Sequence, residues 1–183
     1  MSTFNYFAYG SNMLNEWLQD PSRCPSAQPF GIAVARQYSL SFCKRSSKDK
    51  SGKATLVKST NSQDKVFGVL FKISDDECMD LNRAEGDDYD RVSNFSVFRL
   101  PDAEEIEAVA YIAKSDKCDN SLAPYDWYHR LVIAGGDQHE LPESYLNRLR
   151  QTQPRPIPDP NPKRSNRLKA MKALERAGFS QRQ

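Results

Sequence analysis

Histidine and cysteine are both scarce in this sequence of 183 residues, which limits the metal sites that it could form. The two histidines, His129 and His139, are ten positions apart, and no two of the four cysteines have the short spacing of a zinc knuckle or a dithiol motif. We therefore predict no metal. The even number of cysteines leaves a disulfide framework open, but free thiols are the favoured interpretation because no export signal is visible.

Long apolar runs are also missing. No stretch approaches the roughly 18 apolar residues of a membrane-spanning helix. The first residues have neither the basic region nor the apolar run of a signal peptide, so we expect a cytoplasmic protein with no membrane partner. The content of 38% hydrophobic and 27% charged residues is typical of one folded globular domain.

The net charge of +2 is small and unevenly distributed. Residues 163–183 hold seven basic residues and one acid, a net charge of +6, which leaves −4 on residues 1–162. A nucleic-acid-binding protein usually presents a basic face, and the main part of the chain offers none. We therefore expect no nucleic-acid partner.

The composition divides the chain into three parts. Residues 1–150 are predicted to form the folded domain. Residues 151–162 have a proline at every second position from 154 onwards, which predicts an extended proline-rich spacer. Residues 163–183 are basic and predict a helix, with apolar side chains one turn apart at Leu168, Met171 and Leu174. This tail could dock on the domain or be disordered. It could also attach the protein to a second copy, to a partner protein or, through its own basic residues alone, to an acidic surface or nucleic acid.

Strand and helix patterns are mixed along the domain without strict alternation, which predicts the α+β class. The segment at 66–73 is almost continuously apolar, so we expect a central strand covered on both faces. Residues 44–53 are polar and predict a mobile loop. The other predicted strands are 3–9, 32–42, 54–57, 92–100 and 106–113, and the predicted helices are 13–18, 74–85, 124–133, which ends before Gly135-Gly136, and 142–150.

The helix at 74–85 has start and stop signals. Ser74 followed by Glu77 predicts a capping box, in which the serine and the glutamate each satisfy a free backbone N–H group. Gly86 is a natural terminator because glycine readily adopts positive φ.

Glu85 ends an otherwise apolar stripe of this helix. Cys78, Leu81 and Glu85 lie on one face, which should point to the core. Burial and the free carbonyl groups of the last turn should both raise the pKa of this carboxyl group, as general acid–base catalysis near neutral pH requires. The alternative is a solvated glutamate, or one paired with Arg83 or Arg91.

The first strand leads into a turn at residues 9–12, with the sequence Tyr-Gly-Ser-Asn, and then into a short helix. Such a strand–turn–helix arrangement can leave backbone N–H groups free to hold a carboxylate or a developing oxyanion. The alternative is an ordinary turn, because glycine, serine and asparagine are common turn residues.

Several motifs together resemble the γ-glutamylcyclotransferase (AIG2-like) family across residues 4–150. They are Phe-Ala-Tyr-Gly-Ser-Asn-Met at 7–13, Ala-Thr-Leu at 54–56, Val-Phe-Gly-Val-Leu-Phe at 66–71, Leu-Asn-Arg-Ala-Glu-Gly at 81–86, and Leu-Pro at 141–142. The resemblance implies a compact mixed β-barrel flanked by helices. It also implies an enzyme without a cofactor, in which the α-amino group of a small γ-glutamyl substrate attacks its own γ-carbonyl group to form 5-oxoproline and release an amino acid or amine.

The resemblance also assigns roles to individual residues. It implies that Glu85 is the catalytic acid and base, and that the substrate is bound by Tyr9, Gly10, Ser11 and Asn12, with Tyr89, Tyr111 and Tyr128 around the pocket. Without it, these tyrosines, like Tyr6, would be interpreted as core residues whose hydroxyl groups reach water. The segment 86–91 is shorter than the corresponding segment of some relatives, so the partner of Tyr89 and the preferred leaving group are left open. The alternatives are a γ-glutamylamine cyclotransferase or another γ-glutamyl lyase, and a non-catalytic binding or regulatory protein on the same fold.

Overall fold

The computed structural model describes residues 2–156 and 164–179, and it has the predicted α+β class. The strands are β1 (Thr3–Ala8), β2 (Gln28–Arg36), β3 (Tyr38–Arg45), β4 (Gly52–Lys58), β5 (Lys65–Ser74), β6 (Tyr89–Arg99) and β7 (Glu104–Ala113). The α-helices are α1 (Asn15–Leu18), α2 (Cys78–Glu85), α3 (Asp126–Gln138), α4 (Glu143–Arg150) and α5 (Arg164–Arg176). None of these helices is long and apolar enough to cross a bilayer.

Five of the strands close into a mixed barrel in the order β1-β5-β2-β6-β7. The neighbours along this order are antiparallel, and a parallel contact between Tyr6 of β1 and Val109 of β7 closes the barrel. Strand β5 pairs with β1 on one side and β2 on the other, and its residues 66–71 are all buried. The prediction of a covered central strand is therefore confirmed.

The single strand predicted at 32–42 is wrong. The chain forms two strands, β2 in the barrel and β3 in a separate two-stranded sheet with β4, and they are divided at Gln37, whose φ is +60°. A one-residue interruption leaves the alternation of apolar positions nearly intact, and glutamine gives no signal for positive φ.

The loop predicted at 44–53 is shorter than expected and is tied down. Strand β3 continues to Arg45 and β4 begins at Gly52. Between them, the buried carboxylate of Asp49 accepts hydrogen bonds from the backbone N–H and hydroxyl of Ser51 and from Lys53 Nζ. The polar side chains of this loop therefore form hydrogen bonds with one another, which the composition of the segment does not reveal.

The capping box predicted at the start of α2 is absent. Ser74 makes no side-chain capping bond, and residues 75–77 form a 3-10 turn before α2 begins. The Glu77 carboxylate instead accepts bonds from the backbone N–H and the hydroxyl of Ser26, a partner distant in sequence. The predicted end is confirmed, because α2 ends at Glu85 and Gly86 has a φ of +83°.

Helix α3 passes through Gly135 and Gly136, where the sequence predicted a break. A Cβ atom on Gly135 would lie 2.6 Å from the backbone nitrogen of Leu14 and from Met13 Cβ. A Cβ atom on Gly136 would lie 2.6 Å from Leu146 Cδ2 of α4. These glycines therefore allow close packing, and Gly135 brings α3 against the turn that follows β1.

Helix α5 packs against α1 and α3. Its buried side chains are Ala170, Ala173 and Leu174, whereas Leu168 is 47% exposed, so the contact face differs from the apolar stripe of the sequence. Small alanine side chains let the helices approach closely. Most of the predicted proline-rich spacer, residues 157–162, lies outside the described residues, and the domain boundaries at 150 and 162 stay predictions.

Candidate active site

The turn after β1 is fixed from two sides. The backbone N–H groups of Met13 and Leu14 donate to the carbonyl oxygens of Gly10 and Ser11. A Cβ atom on Gly10 would lie 3.1 Å from Ala54 Cβ and 3.4 Å from the hydroxyl oxygen of Tyr128, so a larger residue would crowd this site. The turn is therefore held close to β4 and α3.

The carboxylate of Glu85 meets this turn. Its Oε1 accepts a hydrogen bond of 2.6 Å from Asn12 Nδ2 and one of 3.1 Å from the hydroxyl of Tyr6. Asn12 is buried and Glu85 is partly buried. The two arginines that the sequence offered as partners of Glu85 bind other residues: Arg83 pairs with Asp80, and Arg91 donates a hydrogen bond to Ser93. The end of α2 therefore directs Glu85 inward, to the turn.

Burial raises the pKa of Glu85 above its ordinary value. The positive charge of Arg23, the hydrogen bond from Tyr6, the charge of Lys44 and the hydrogen bond from Asn12 oppose this effect in that order, and the net shift is upward. This group can thus exchange a proton nearer to neutral pH than a solvated glutamate can.

Four tyrosines surround the carboxylate with hydroxyls held by defined partners. Tyr9 donates to the backbone carbonyl of Tyr111, and Tyr111 donates to Asn82 Oδ1. Tyr89 donates to the carbonyl of Ala54 (2.9 Å), while the hydroxyl of Tyr128 accepts from the backbone N–H of Ala54 (3.1 Å).

Tyr128 also faces the turn. Burial raises the pKa of Tyr128 to about 12; the hydrogen bond from the backbone of Ala54 opposes this rise, and the negative charge of Glu85 adds to it. The phenol is therefore neutral at physiological pH, and Ser11 lines the same inner cavity.

The structure brings all eight predicted site residues together around an inner cavity of about 30 Å³. Its lining consists of Tyr9, Gly10, Ser11, Asn12, Glu85, Tyr89, Tyr111 and Tyr128, together with Tyr6 and Ala54. An outer cavity of about 390 Å³ shares Ser11, Asn12, Glu85, Tyr89 and Tyr128 with it. Glu85 thus lies between a small inner space and a larger space that could hold the rest of a ligand.

Three residues near Glu85 were not predicted from the sequence. Tyr6 donates to its carboxylate; Arg23 donates to Asn12 Oδ1 at 3.2 Å; and Lys44, paired with Asp88 at 3.0 Å, adds a nearby positive charge. Arg23 lies in a loop and Lys44 in a polar run, so no local pattern marks them. Tyr6 could have been suspected only as a polar aromatic residue near the turn motif.

Within residues 2–156 and 164–179, no group of three or more histidine, cysteine, aspartate or glutamate side chains could hold a metal ion. The polar groups around the inner cavity are one carboxylate, one carboxamide, one serine hydroxyl, phenols and backbone amides. This set can bind an organic anion and move protons.

Comparison with known proteins gives a consistent result. Residues 65–149 match the model of the AIG2-like family. The chain is similar to human gamma-glutamylcyclotransferase, with 28% identity over 157 residues that cover 83% of this chain and 80% of that protein. Its structure is similar to a solved gamma-glutamyl cyclotransferase (TM-score 0.75, 27% identity, 84% and 90% of the two chains) and to a human protein described as uncharacterized (TM-score 0.78, 25% identity, 92% and 99%).

Proposed function

Because the chain belongs to the γ-glutamylcyclotransferase (AIG2-like) family, we propose that it converts a γ-glutamyl amide into 5-oxoproline and releases an amino acid or an amine. The relatives are named for this activity. The proposal assigns proton transfer to Glu85 and substrate binding to the turn at 9–12 with the surrounding tyrosines.

The observation that carries the proposal is the setting of Glu85. Its carboxylate is partly buried between two cavities, it is held by Asn12 and Tyr6, and its pKa is raised by burial. A carboxyl group with these properties can both accept and return a proton near neutral pH.

The proton balance of the reaction fits one such group. The substrate ammonium must lose two protons as its nitrogen bonds to the γ-carbonyl carbon and becomes the ring amide. The departing nitrogen must gain two protons as its bond to that carbon breaks and it leaves as an ammonium. Glu85 would carry these protons one at a time and finish in its starting state. Ring closure is intramolecular, so holding the substrate folded would supply much of the acceleration.

The charges around the cavities support an anionic substrate. The outer cavity is lined by five basic residues, and three of them are paired with carboxylates, Lys44 with Asp88, Lys53 with Asp49 and Arg83 with Asp80. The other two, Arg23 and Lys48, are placed to attract a carboxylate of the substrate. The hydroxyl and backbone of Ser11, with the neutral phenol of Tyr128, could bind either a carboxylate or the developing oxyanion at the inner end.

A substrate panel tests the proposal. The protein is incubated with γ-glutamyl amino acids, γ-glutamyl amines and glutathione, and 5-oxoproline is measured by mass spectrometry. We expect enzyme-dependent 5-oxoproline from at least one class, and the class that reacts fastest identifies the leaving group. If no compound reacts but some raise the melting temperature, the proposal is wrong and the non-catalytic binding protein is favoured.

A further inference from the structure

Arg23 lies beside the candidate catalytic group without touching it. It belongs to the loop between α1 and β2 and is partly buried. Its guanidinium carbon lies 4.4 Å from the centroid of the Trp17 ring, and its NH1 donates to Asn12 Oδ1 at 3.2 Å. Stacking and a hydrogen bond together hold the guanidinium in one orientation.

Asn12 connects Arg23 to Glu85. Its Oδ1 accepts from Arg23, while its Nδ2 donates to Glu85 Oε1 at 2.6 Å and to the hydroxyl oxygen of Tyr6 at 3.0 Å. A guanidinium can only donate and an ionised carboxylate can only accept. If the amide of Asn12 were rotated by half a turn, both contacts would be lost, because its NH₂ group would face Arg23 and its oxygen would face Glu85.

The positive charge of Arg23 also favours the ionised form of Glu85. It is the largest of the influences that oppose the effect of burial on the pKa of Glu85, ahead of Tyr6, Lys44 and Asn12. Other ionisable groups near Glu85 are distributed over the elements around it: Tyr6 of β1, Tyr9 beyond its end, Cys24 of the loop, Lys44 of β3, Tyr89 of β6, Tyr111 of β7 and Tyr128 of α3. The charged residues Lys48, Lys53, Asp87 and Asp88 line the same outer cavity. On its own helix, Arg83 is exposed and paired with Asp80.

We propose that Arg23 is a positioning residue of this site, which fixes the amide of Asn12 and thereby keeps the carboxylate of Glu85 oriented and ready to accept a proton. The kinetic part of this inference rests on the proposed function, whereas the effect on the carboxyl group itself does not.

A direct titration of Glu85 tests the inference without any substrate. The side-chain carboxyl carbon of Glu85 is followed by ¹³C NMR in protein labelled at glutamate, with the resonance assigned from Glu85→Gln. In Arg23→Met the titration midpoint should rise by about one pH unit, as expected for the loss of a nearby opposite charge. In Arg23→Lys, which keeps the charge, the rise should be smaller.

Arg83→Met is the matched control. Arg83 also lines the outer cavity, but its side chain is 75% exposed and paired with Asp80, so its loss should leave the midpoint unchanged. An unchanged midpoint in Arg23→Met, or an equal rise in Arg83→Met, would overturn the inference. If Arg23→Met does not fold by circular dichroism, Arg23→Gln takes its place with the same expected direction.

Kinetics separate positioning from substrate binding. In Arg23→Met the acidic limb of the kcat/KM profile should move to higher pH by the same amount as the NMR midpoint, with activity largely recovered above that limb. A rise in KM at every pH with an unmoved limb would instead make Arg23 a substrate-binding residue and contradict the inference. If the wild-type protein releases no 5-oxoproline, the proposed function fails, while the NMR titration still decides the role of Arg23.

Discussion

Glu85 acquires its properties from the point at which α2 ends. Gly86 adopts a φ of +83°, which stops the helix directly after the glutamate and leaves the carboxylate beside Asn12 and Tyr6. Burial raises its pKa, and the surrounding donors and cations limit the rise. In the proposed reaction this group must be charged to accept a proton and neutral to donate one, so a balance between burial and charge would suit both steps.

Because the pKa of Glu85 is raised in the folded protein, this residue should lower the free energy of unfolding as the pH rises. A carboxyl group whose pKa is higher in the folded state favours folding most below its unfolded value of 4.5, and this contribution is lost as the pH rises through the folded value. Wild-type stability should therefore decline relative to that of Glu85→Gln as the pH rises from about 4 to neutrality. Urea unfolding of both proteins across this range measures the difference.

Asp80→Asn is the control for this measurement. Asp80 belongs to the same helix and is half-buried, with 43% of its side chain accessible. Its substitution should give a curve parallel to that of the wild type. Parallel curves for Glu85→Gln as well would mean that burial does not shift the Glu85 titration.

Among the structural elements, α3 places the turn after β1. Gly135 lies against the backbone of Met13 and Leu14, directly beyond the Asn12 that holds Glu85. A methyl group on residue 135 would clash with the backbone of Met13 and Leu14, which can shift only if the whole turn shifts. The glycines of α3 are thus part of the construction of the site, although no atom of Gly135 lines either cavity.

Gly135→Ala should destabilise the protein by about 2 kcal/mol, because the overpacking exceeds the gain in helix propensity. It should also lower activity by displacing the turn. Gly136→Ala is the matched comparison, since its Cβ would meet mainly the end of the Leu146 side chain, which can move, and we expect a smaller loss. Thermal unfolding and 5-oxoproline assays of both variants measure these effects, and equal stability of the two would contradict this explanation.

Elements with strong local signals could be predicted from the sequence. The continuous apolar run of β5 and the glycine at the end of α2 are local features, and both predictions are confirmed. The separation of β2 from β3, the pairing of Glu77 with Ser26 and the passage of α3 through two glycines depend on partners distant in sequence. Periodicity and capping rules do not contain that information.

At the scale of the whole molecule, the site is assembled from β1, the following turn, β4, α2, β6, β7 and α3. The family motifs were sufficient to predict which residues meet, and all eight line one cavity. Their catalytic and binding roles stay predictions. Tyr6, Arg23 and Lys44 escaped prediction because their nearness to Glu85 arises only when the barrel closes and the loops pack on it.

The packing of α5 predicts that the tail contributes to stability. Leu174 is buried where α5 meets the domain, so Leu174→Ala should cost about 2–4 kcal/mol. Leu168, which is 47% exposed on the same helix, should tolerate alanine within about 0.5 kcal/mol. Urea unfolding compares the two variants. If both are neutral, α5 does not dock on the domain in solution, and attachment to a second copy or a partner protein becomes the better account of the tail.

The central claim is that one carboxyl group transfers the protons of a cyclisation reaction, and the most direct test is 5-oxoproline release by Glu85→Gln. Asp80→Asn serves as the control on the same helix. We predict that the rate falls by about 10²–10⁴-fold in Glu85→Gln, with unchanged circular dichroism, and stays near the wild-type rate in Asp80→Asn. Release of 5-oxoproline by Glu85→Gln at the wild-type rate would contradict the account.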